Sequence, residues 1–307
     1  MPVAQKAKAR PSNISKVMPT PAMPACPPPG ITKVKPAFCP PYSFAPPCIL
    51  PAPVPGQWEI GAQILFARIS GKVLWPRYSQ YYWGWYGGDS DWLAAGFTDK
   101  LMLPAHKVLV DFKVRYQFRP NWAVRYSVIP IELNGGGWPD SWSYFIFGNQ
   151  LYFGGQPVQS KWQHVYQRVG LIYDAVRTCS SKLSIFADWV HVDDRIDLNC
   201  TYCGYYTSTF SKSTDSMMVG LELQRCMVRT SNGGTFSCDL KGGGIFLDDV
   251  AGYDVEAGGR YSIALNKAGR WGYIKGGYRA IGLDKTQADY ILKNTIEGGF
   301  VEFGFIF

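Results

Sequence analysis

The segment Asn294 to Phe307 narrows the choice of fold more than any other part of the chain. Counted by twos from its last residue, one face carries Phe307, Phe305, Phe303, Val301 and Gly299. The other carries Ile306, Gly304, Glu302, Phe300 and Gly298. A period of two with one uniformly apolar, aromatic-ended face predicts a β-strand. Such a strand at the margin of a sheet leaves a row of unpaired backbone groups, ready to pair with other molecules. Two architectures answer that problem. In a soluble sandwich or jelly roll, Phe307 would cap a core; in a closed barrel, the last strand pairs with the first and the edge disappears.

From Gln57 onward the chain repeats this alternation. Ten strands are predicted, at about 57–69, 105–118, 121–133, 160–177, 182–196, 213–228, 234–247, 252–266, 270–282 and 291–307. The clearest sets Val108, Val110, Phe112, Val114, Tyr116 and Phe118 against Lys107, Leu109, Asp111, Lys113, Arg115 and Gln117. No run approaches the ~20 apolar residues a membrane helix requires. The connections sort by length: long ones at about 70–104, 134–159 and 197–212 alternate with tight turns at Arg119-Pro120-Asn121, Cys179-Ser180-Ser181, Asn232-Gly233 and Asn266 to Gly269. A brief connection near Asp248 departs mildly from the pattern. The tight turns fall on the side that holds both termini. Short turns on one side, long loops on the other and an even strand number predict a transmembrane barrel. A sandwich has no reason to sort its loops so.

At this point Phe303-x-Phe305-x-Phe307 resembles the C-terminal signal of Gram-negative outer-membrane β-barrel proteins. The resemblance covers about a dozen residues and establishes no subfamily. It implies an all-β fold, a transmembrane antiparallel up-and-down β-barrel, resident in the bacterial outer membrane. Outer-membrane lipid, lipopolysaccharide and the barrel-assembly machinery are then expected partners. The first residues lack the apolar core of a secretory signal, so the resemblance implies a signal outside this numbering.

Solvent sets which face points where. A basic side chain facing lipid at mid-bilayer costs about 2–4 kcal/mol, so the charged faces are expected inward. Asp111, Lys113, Arg115, Arg125, Arg168, Glu222, Asp254, Glu256, Arg260, Lys275 and Glu302 are the expected lumen charges. Trp58, Trp122, Trp162, Trp189 and Trp271 are expected in aromatic girdles at the two interfaces. Ten strands enclose a bore well below that of the 16–18-stranded porins. Mixed-sign side chains crossing it either pack as a polar core or line a narrow channel. Gly61, Gly170, Gly220, Gly258 and Gly304 on the inward face leave space there or permit strand curvature.

Residues 1–56 are of another kind. They hold 16 of the 22 prolines, and Lys6, Lys8, Arg10, Lys16, Lys33 and Lys35 without any acid supply +6 of the net +8. An extended, partly polyproline II arm is predicted, ahead of a barrel at 57–307. The nearly neutral barrel gives no support for nucleic-acid binding. The arm is expected in the periplasm, reaching peptidoglycan or a protein partner or entering the lumen as a plug. Eight cysteines (Cys26, Cys39, Cys48, Cys179, Cys200, Cys203, Cys226 and Cys238) fit an oxidising compartment, without fixing connectivity. Cys226 and Cys238 flank the Asn232-Gly233 turn as cross-strand neighbours if a bulge aligns their faces. Cys200 and Cys203 would close a small loop or pair elsewhere, and one arm cysteine is expected to bond Cys179 or another molecule. In composition this set resembles the cysteine-crosslinked major outer-membrane proteins of chlamydia-like bacteria.

No metal or cofactor is expected, since Cys200-x2-Cys203 has half the spacing of a zinc site and no second pair follows. The aromatic loop from Tyr78 to Trp92 either contacts a glycan, a lipid A headgroup or a protein, or folds over the barrel mouth. Asp89-Ser90-Asp91 and His191-Val192-Asp193-Asp194 are similar, in residue type and height only, to the catalytic acids and Asp–His pair of omptin proteases; the His-x-Asp order is reversed. The expected function is not enzymatic: an integral outer-membrane envelope scaffold or partner-binding protein. A narrow porin-like channel is the alternative, and an omptin-like protease a distant one.

Overall fold

The structure, a computed structural model, describes residues 48, 50, 54–76, 92–140, 144–148, 150–200, 206–231, 233–247, 249–265, 270–287 and 289–307. Among the described residues there are thirteen strands: β1 (Gln57–Pro76), β2 (Trp92–Gly96), β3 (His106–Arg119), β4 (Trp122–Gly137), β5 (Tyr144–Phe147), β6 (Gln150–Phe153), β7 (Val158–Arg177), β8 (Ser181–Cys200), β9 (Tyr206–Arg229), β10 (Thr235–Leu247), β11 (Val250–Ala264), β12 (Trp271–Thr286) and β13 (Ile291–Ile306). Ten of them, β1, β3, β4 and β7 to β13, pair antiparallel in chain order, and β13 returns to β1. The closing seam runs from Glu59↔Ile306 to Leu74↔Ile291. Trp58 and Phe307 exchange both backbone hydrogen bonds at its end, at 2.8 and 2.9 Å. The aromatic strand that would be a bare edge in an open sheet is therefore fully paired.

All ten predicted strands are present, and several run further than their alternation of apolar and polar residues suggested. β1 continues to Pro76, β8 continues to Cys200 and β9 already begins at Tyr206. The extra length lies at the end of the barrel that bears the long connections. There β2 adds to the upper part of β1, and β5 and β6 form a separate hairpin; none of these three was foreseen.

The ten-strand wall has two tiers. At the short-turn end, apolar residues point out and charges point in. On β1 the outward row is Trp58, Ile60, Ala62, Ile64 and Phe66, with Phe66 58% exposed. On β9 it is Met217, Val219, Leu221 and Leu223, and on β13 Val301, Phe303 and Phe305, with Phe307 just beyond its end. An apolar belt of this size has no stable place against water; it is the surface that meets hydrocarbon. The barrel is a transmembrane one.

Above the belt the sense of the alternation reverses. The outward row of β1 continues as Arg68, Ser70 and Lys72, while Leu65, Ala67, Ile69 and Val73 turn in and are buried. On β8, Trp189 is followed outward by His191, Asp193, Arg195 and Asp197, and inward by Val190, Val192, Ile196 and Leu198. This corrects the expectation that the ionised side looks in along the whole barrel. The physical reason is length. A strand needs ~9–11 residues to cross the hydrocarbon, whereas β7 and β8 have 20 and β9 has 24. The surplus stands in water as a collar, and a wall in water hides its apolar face inside.

Two tryptophans expected in the girdles lie elsewhere for related reasons. Trp162 belongs to the collar and is fully buried inside it. Trp271 shares the inward face of β12 with Tyr273 and is half-buried at the short-turn end. Trp58, Trp122 and Trp189 do point outward.

Candidate functional site

The lower tier of the lumen holds an ion-pair network. Nine anions (Glu59, Asp111, Asp174, Asp188, Glu222, Asp239, Asp254, Glu256 and Glu302) face nine cations (Lys113, Arg115, Arg125, Arg168, Lys182, Lys241, Arg260, Lys275 and Arg279). All eleven expected lumen charges point into this space. Arg279 of β12 is its centre and has no exposed surface. Its Nε and Nη2 each donate at 3.0 Å to Asp254 of β11, and its Nη1 donates to Asp111 of β3 at 2.5 Å and to Gln63 of β1 at 2.8 Å. From the opposite wall, Arg168 of β7 donates to Asp254 through Nη1 and to Ser127 of β4 through Nε at 2.9 Å. The chain of contacts from β12 to β7 thus crosses the bore.

Nearer the short-turn end, Lys113 bonds Glu302 at 2.6 Å and Glu256 at 3.3 Å, and Lys275 bonds Glu256 at 2.5 Å. Arg125 grips Asp188 with Nε and Nη2 and lies 4.0 Å over the Phe186 ring; Arg260 bonds Glu59 at 3.0 Å and lies 3.6 Å over Tyr273. The rings occupy the room that inward glycines leave. A Cβ on Gly304 would come within 2.2 Å of the Tyr273 ring, and one on Gly220 within 2.4 Å of Phe186. Mutual pairing is what allows so many charges to leave water together, since an unpaired one would cost several kcal/mol. Within the network a cavity of about 170 Å³ remains, lined by Glu59, Arg115, Lys182, Glu222 and Arg260 among others.

The upper tier is closed by apolar packing. Ile129, Ile131 and Leu133 of β4, Trp162 of β7, Val192 and Ile196 of β8 and Phe210 of β9 line it, and described residues of two of the long connections pack inside. Phe145, Phe147 and Tyr152 from the β5–β6 hairpin and Phe97, Leu101 and Leu103 from the segment after β2 are all buried there. Phe97 packs on Trp162 with ring centroids 4.8 Å apart, and Trp75 meets both Phe147 and Phe210 edge-on. The segment passes so close to β4 that a Cβ on Gly135 would come within 2.2 Å of the Met102 carbonyl oxygen. One polar cluster is embedded in this tier. Asp194 accepts from Trp162 Nε1 at 3.1 Å and Lys285 Nζ at 2.5 Å, and its Oδ1 is 2.7 Å from His164 Nδ1. Burial alone would raise the Asp194 carboxyl, but His164 and Lys285 outweigh it and hold the group well below the usual carboxylate range.

At the short-turn end the chain preceding β1 is tied down. Cys48 is disulfide-bonded to Cys226, and the buried Leu50 donates its N–H to the Cys179 carbonyl at 2.9 Å. The arm cysteine Cys48 thus bonds the barrel at Cys226 and not at Cys179. The expected Cys226–Cys238 neighbourship is also corrected: Cys226 stands opposite Ser237 and Cys238 opposite Arg225, which puts the two sulfurs on opposite faces. A register shift at Phe236/Ser237 is present and does not align them. Cys238 is an exposed free thiol, and Cys200 is disulfide-bonded. Cys26, Cys39, Cys203, the arm before residue 48 and the aromatic loop with Asp89-Ser90-Asp91 lie outside the described residues. Phe303, Phe305 and Phe307 stand outward in the belt, each about half exposed.

His191 and Asp194, neighbours in sequence, are separated by the wall. Asp194 is inside, whereas His191 is on the outer surface with Asp193, Ser213 and Asp215. Sequence reading singled out His191 and missed Ser213 and Asp215; their signal was the polar alternation of β9 before Met217.

Fold and lumen together define a closed ten-stranded transmembrane β-barrel with a water-exposed collar. No protein-family model matches the chain, and no curated protein matches it. Among solved structures it is similar to the outer membrane protease OmpT from Escherichia coli, at 7% identity and a TM-score of 0.40, covering 82% of this chain and 97% of that one. It is also similar to Ail, the attachment invasion locus protein of Yersinia pestis, in complex with the heparin analogue sucrose octasulfate, at 10% identity and a TM-score of 0.35, covering 83% and 100%. The toluene transporter TodX of Pseudomonas putida matches at 10% identity and a TM-score of 0.29, covering 83% and 91%.

Proposed function

We propose that this protein is a non-conducting outer-membrane barrel that serves as an envelope scaffold, holding a proline-rich arm on the periplasmic side and a rigid collar outside. The observation that carries this reading is the doubly filled lumen. An ion-pair network crosses the belt from Arg279 to Arg168, and an apolar plug built on Phe97, Phe147 and Trp162 closes the collar. A solute would have to break buried pairs in the first and displace packed rings in the second. The Cys48–Cys226 bond supports the arm's part in it, since it transmits load from the arm directly into β9. On this reading the arm binds peptidoglycan or a periplasmic protein, and Phe303, Phe305 and Phe307 present the signal to the barrel-assembly machinery.

The test is single-channel recording in planar bilayers, of the full chain and of a shortened chain lacking residues 1–47. Absence of current steps in both supports the scaffold. Regular steps in either would overturn it in favour of the narrow channel, the reading that the cavity within the network favours.

A further inference from the structure

We propose that the outer wall of the collar carries a serine-esterase site, Ser213–His191–Asp215, acting on fatty-acyl esters of membrane lipids. β8 and β9 are paired in register, with His191 opposite Asp215 and Asp193 opposite Ser213, all four pointing outward. His191 Nδ1 is 2.7 Å from Asp215 Oδ1, and its Nε2 is 3.4 Å from Ser213 Oγ and 3.2 Å from Asp193 Oδ2. An acid on Nδ1 with a hydroxyl beside Nε2 is the arrangement that activates a serine; here Asp193 also stands beside Nε2 and is hydrogen-bonded by Ser213. Asp215 accepts the Nδ1 proton, and Nε2, shared between Asp193 and Ser213, is the base once its own proton has left.

Place in the membrane supplies the substrate class. One step down the same faces are Trp189 and Met217, both exposed, with the Trp189 ring 5.7 Å from His191. These are the top of the belt; His191 and Asp215 stand one step above it and Ser213 two, on the water side of the margin. The carboxylic esters of membrane lipids lie between that margin and Ser213, with acyl chains below.

The reaction is hydrolysis with water as co-reactant. Ser213 Oγ adds to the ester carbonyl as its proton passes to His191 Nε2. The C–O bond to the lipid alcohol breaks, and that oxygen takes the proton from His191. Water then adds to the acyl-serine, giving its proton to His191, and the fatty acid leaves as Ser213 regains a proton. Asp193 beside Nε2 steadies the imidazolium formed in both halves. The Asp215 hydrogen bond raises the His191 pKa above its ordinary value, against slight burial and with help from Asp193; the neighbour across β7 is the neutral Gln167. Activity therefore rises with pH through a midpoint above 6.5.

The test uses the full chain reconstituted separately in phosphatidylethanolamine–phosphatidylglycerol vesicles and in lipopolysaccharide-containing vesicles, measuring fatty-acid release. Labelling by an alkyl fluorophosphonate is mapped by mass spectrometry. The expected result is release from at least one vesicle type, which identifies the lipid source, and label on Ser213. Ser213→Ala and His191→Ala should each lower release by on the order of 10⁶-fold. Asp215→Asn should move the pH midpoint down, and Glu132→Gln on the same collar should change nothing. No release from either vesicle by folded protein, or full release by Ser213→Ala, overturns the proposal. Neither outcome bears on conductance.

Discussion

Two arginine substitutions on one face of β1 separate a barrel with a collar from one that is membrane-embedded throughout. Ala62 and Ser70 both point outward, eight residues apart. Trp58 to Phe66 is the belt on this strand; at ~3.4 Å per residue and a tilt of ~40° it stands roughly 20 Å tall, close to the ~25 Å band of such barrels. Ala62 is at its middle, about 10 Å from either margin. Arginine there should cost the ~2–4 kcal/mol of a basic group at the midplane, a loss of about 30- to 700-fold in the folding equilibrium constant. Ser70 lies above Phe66 and Arg68, in water, so Ser70→Arg should cost about 0–1 kcal/mol. The assay is reversible guanidinium unfolding in lipid vesicles, followed by tryptophan fluorescence. Equal costs at the two sites, or a larger one at Ser70, would refute the two-tier assignment.

Other substitutions test the inside of the barrel. Asp254→Asn leaves Arg279 and Arg168 without their shared carboxylate and should cost about 3–5 kcal/mol, read by the same unfolding assay. Cys48→Ser removes a bond spanning 178 residues and should cost about 2–5 kcal/mol; reductant should abolish the difference between variant and parent. The depressed Asp194 pKa contributes stability that is complete above its ordinary value of 3.8 and is lost as pH falls below it toward the folded-state value. Protease sensitivity of the collar should therefore increase below about pH 4, and Asp194→Asn should be sensitive at neutral pH with little further change in acid.

The barrel was legible because lipid imposes a sharp rule on residues such as Phe112 and Asp111, neighbours that must part to opposite faces. Period two places all ten strands and aims the eleven expected charges inward. What it leaves open is which side is wet. Val190, Val192 and Ile196 alternate with His191, Asp193 and Arg195 as regularly as the belt residues do, yet with the opposite sense. A signal was present, for the outward row turns from Trp189 to His191 and from Phe66 to Arg68 at one height. The hairpin carrying Phe145, Phe147 and Tyr152 has strands of only four residues, too short for periodicity to register. Cys48–Cys226 was hidden because spacing does not determine disulfide connectivity. Ser213 and Asp215 looked like ordinary solvated strand residues until β8 brought His191 across to them.

The central claim is the reversal of the wall at one height, and residue-resolved photolabelling tests it most directly. A carbene-generating probe in the lipid tails is activated with the protein in bilayers, and the labelled residues are identified by mass spectrometry. Label on Phe66, Phe112, Leu221 and Phe303, with none on Ser70, Asp197 or Thr209 and none on Val192, Ile196 or Phe147, is the predicted result. Label on the outward residues of the collar, or on its inner set in place of the belt, would contradict it.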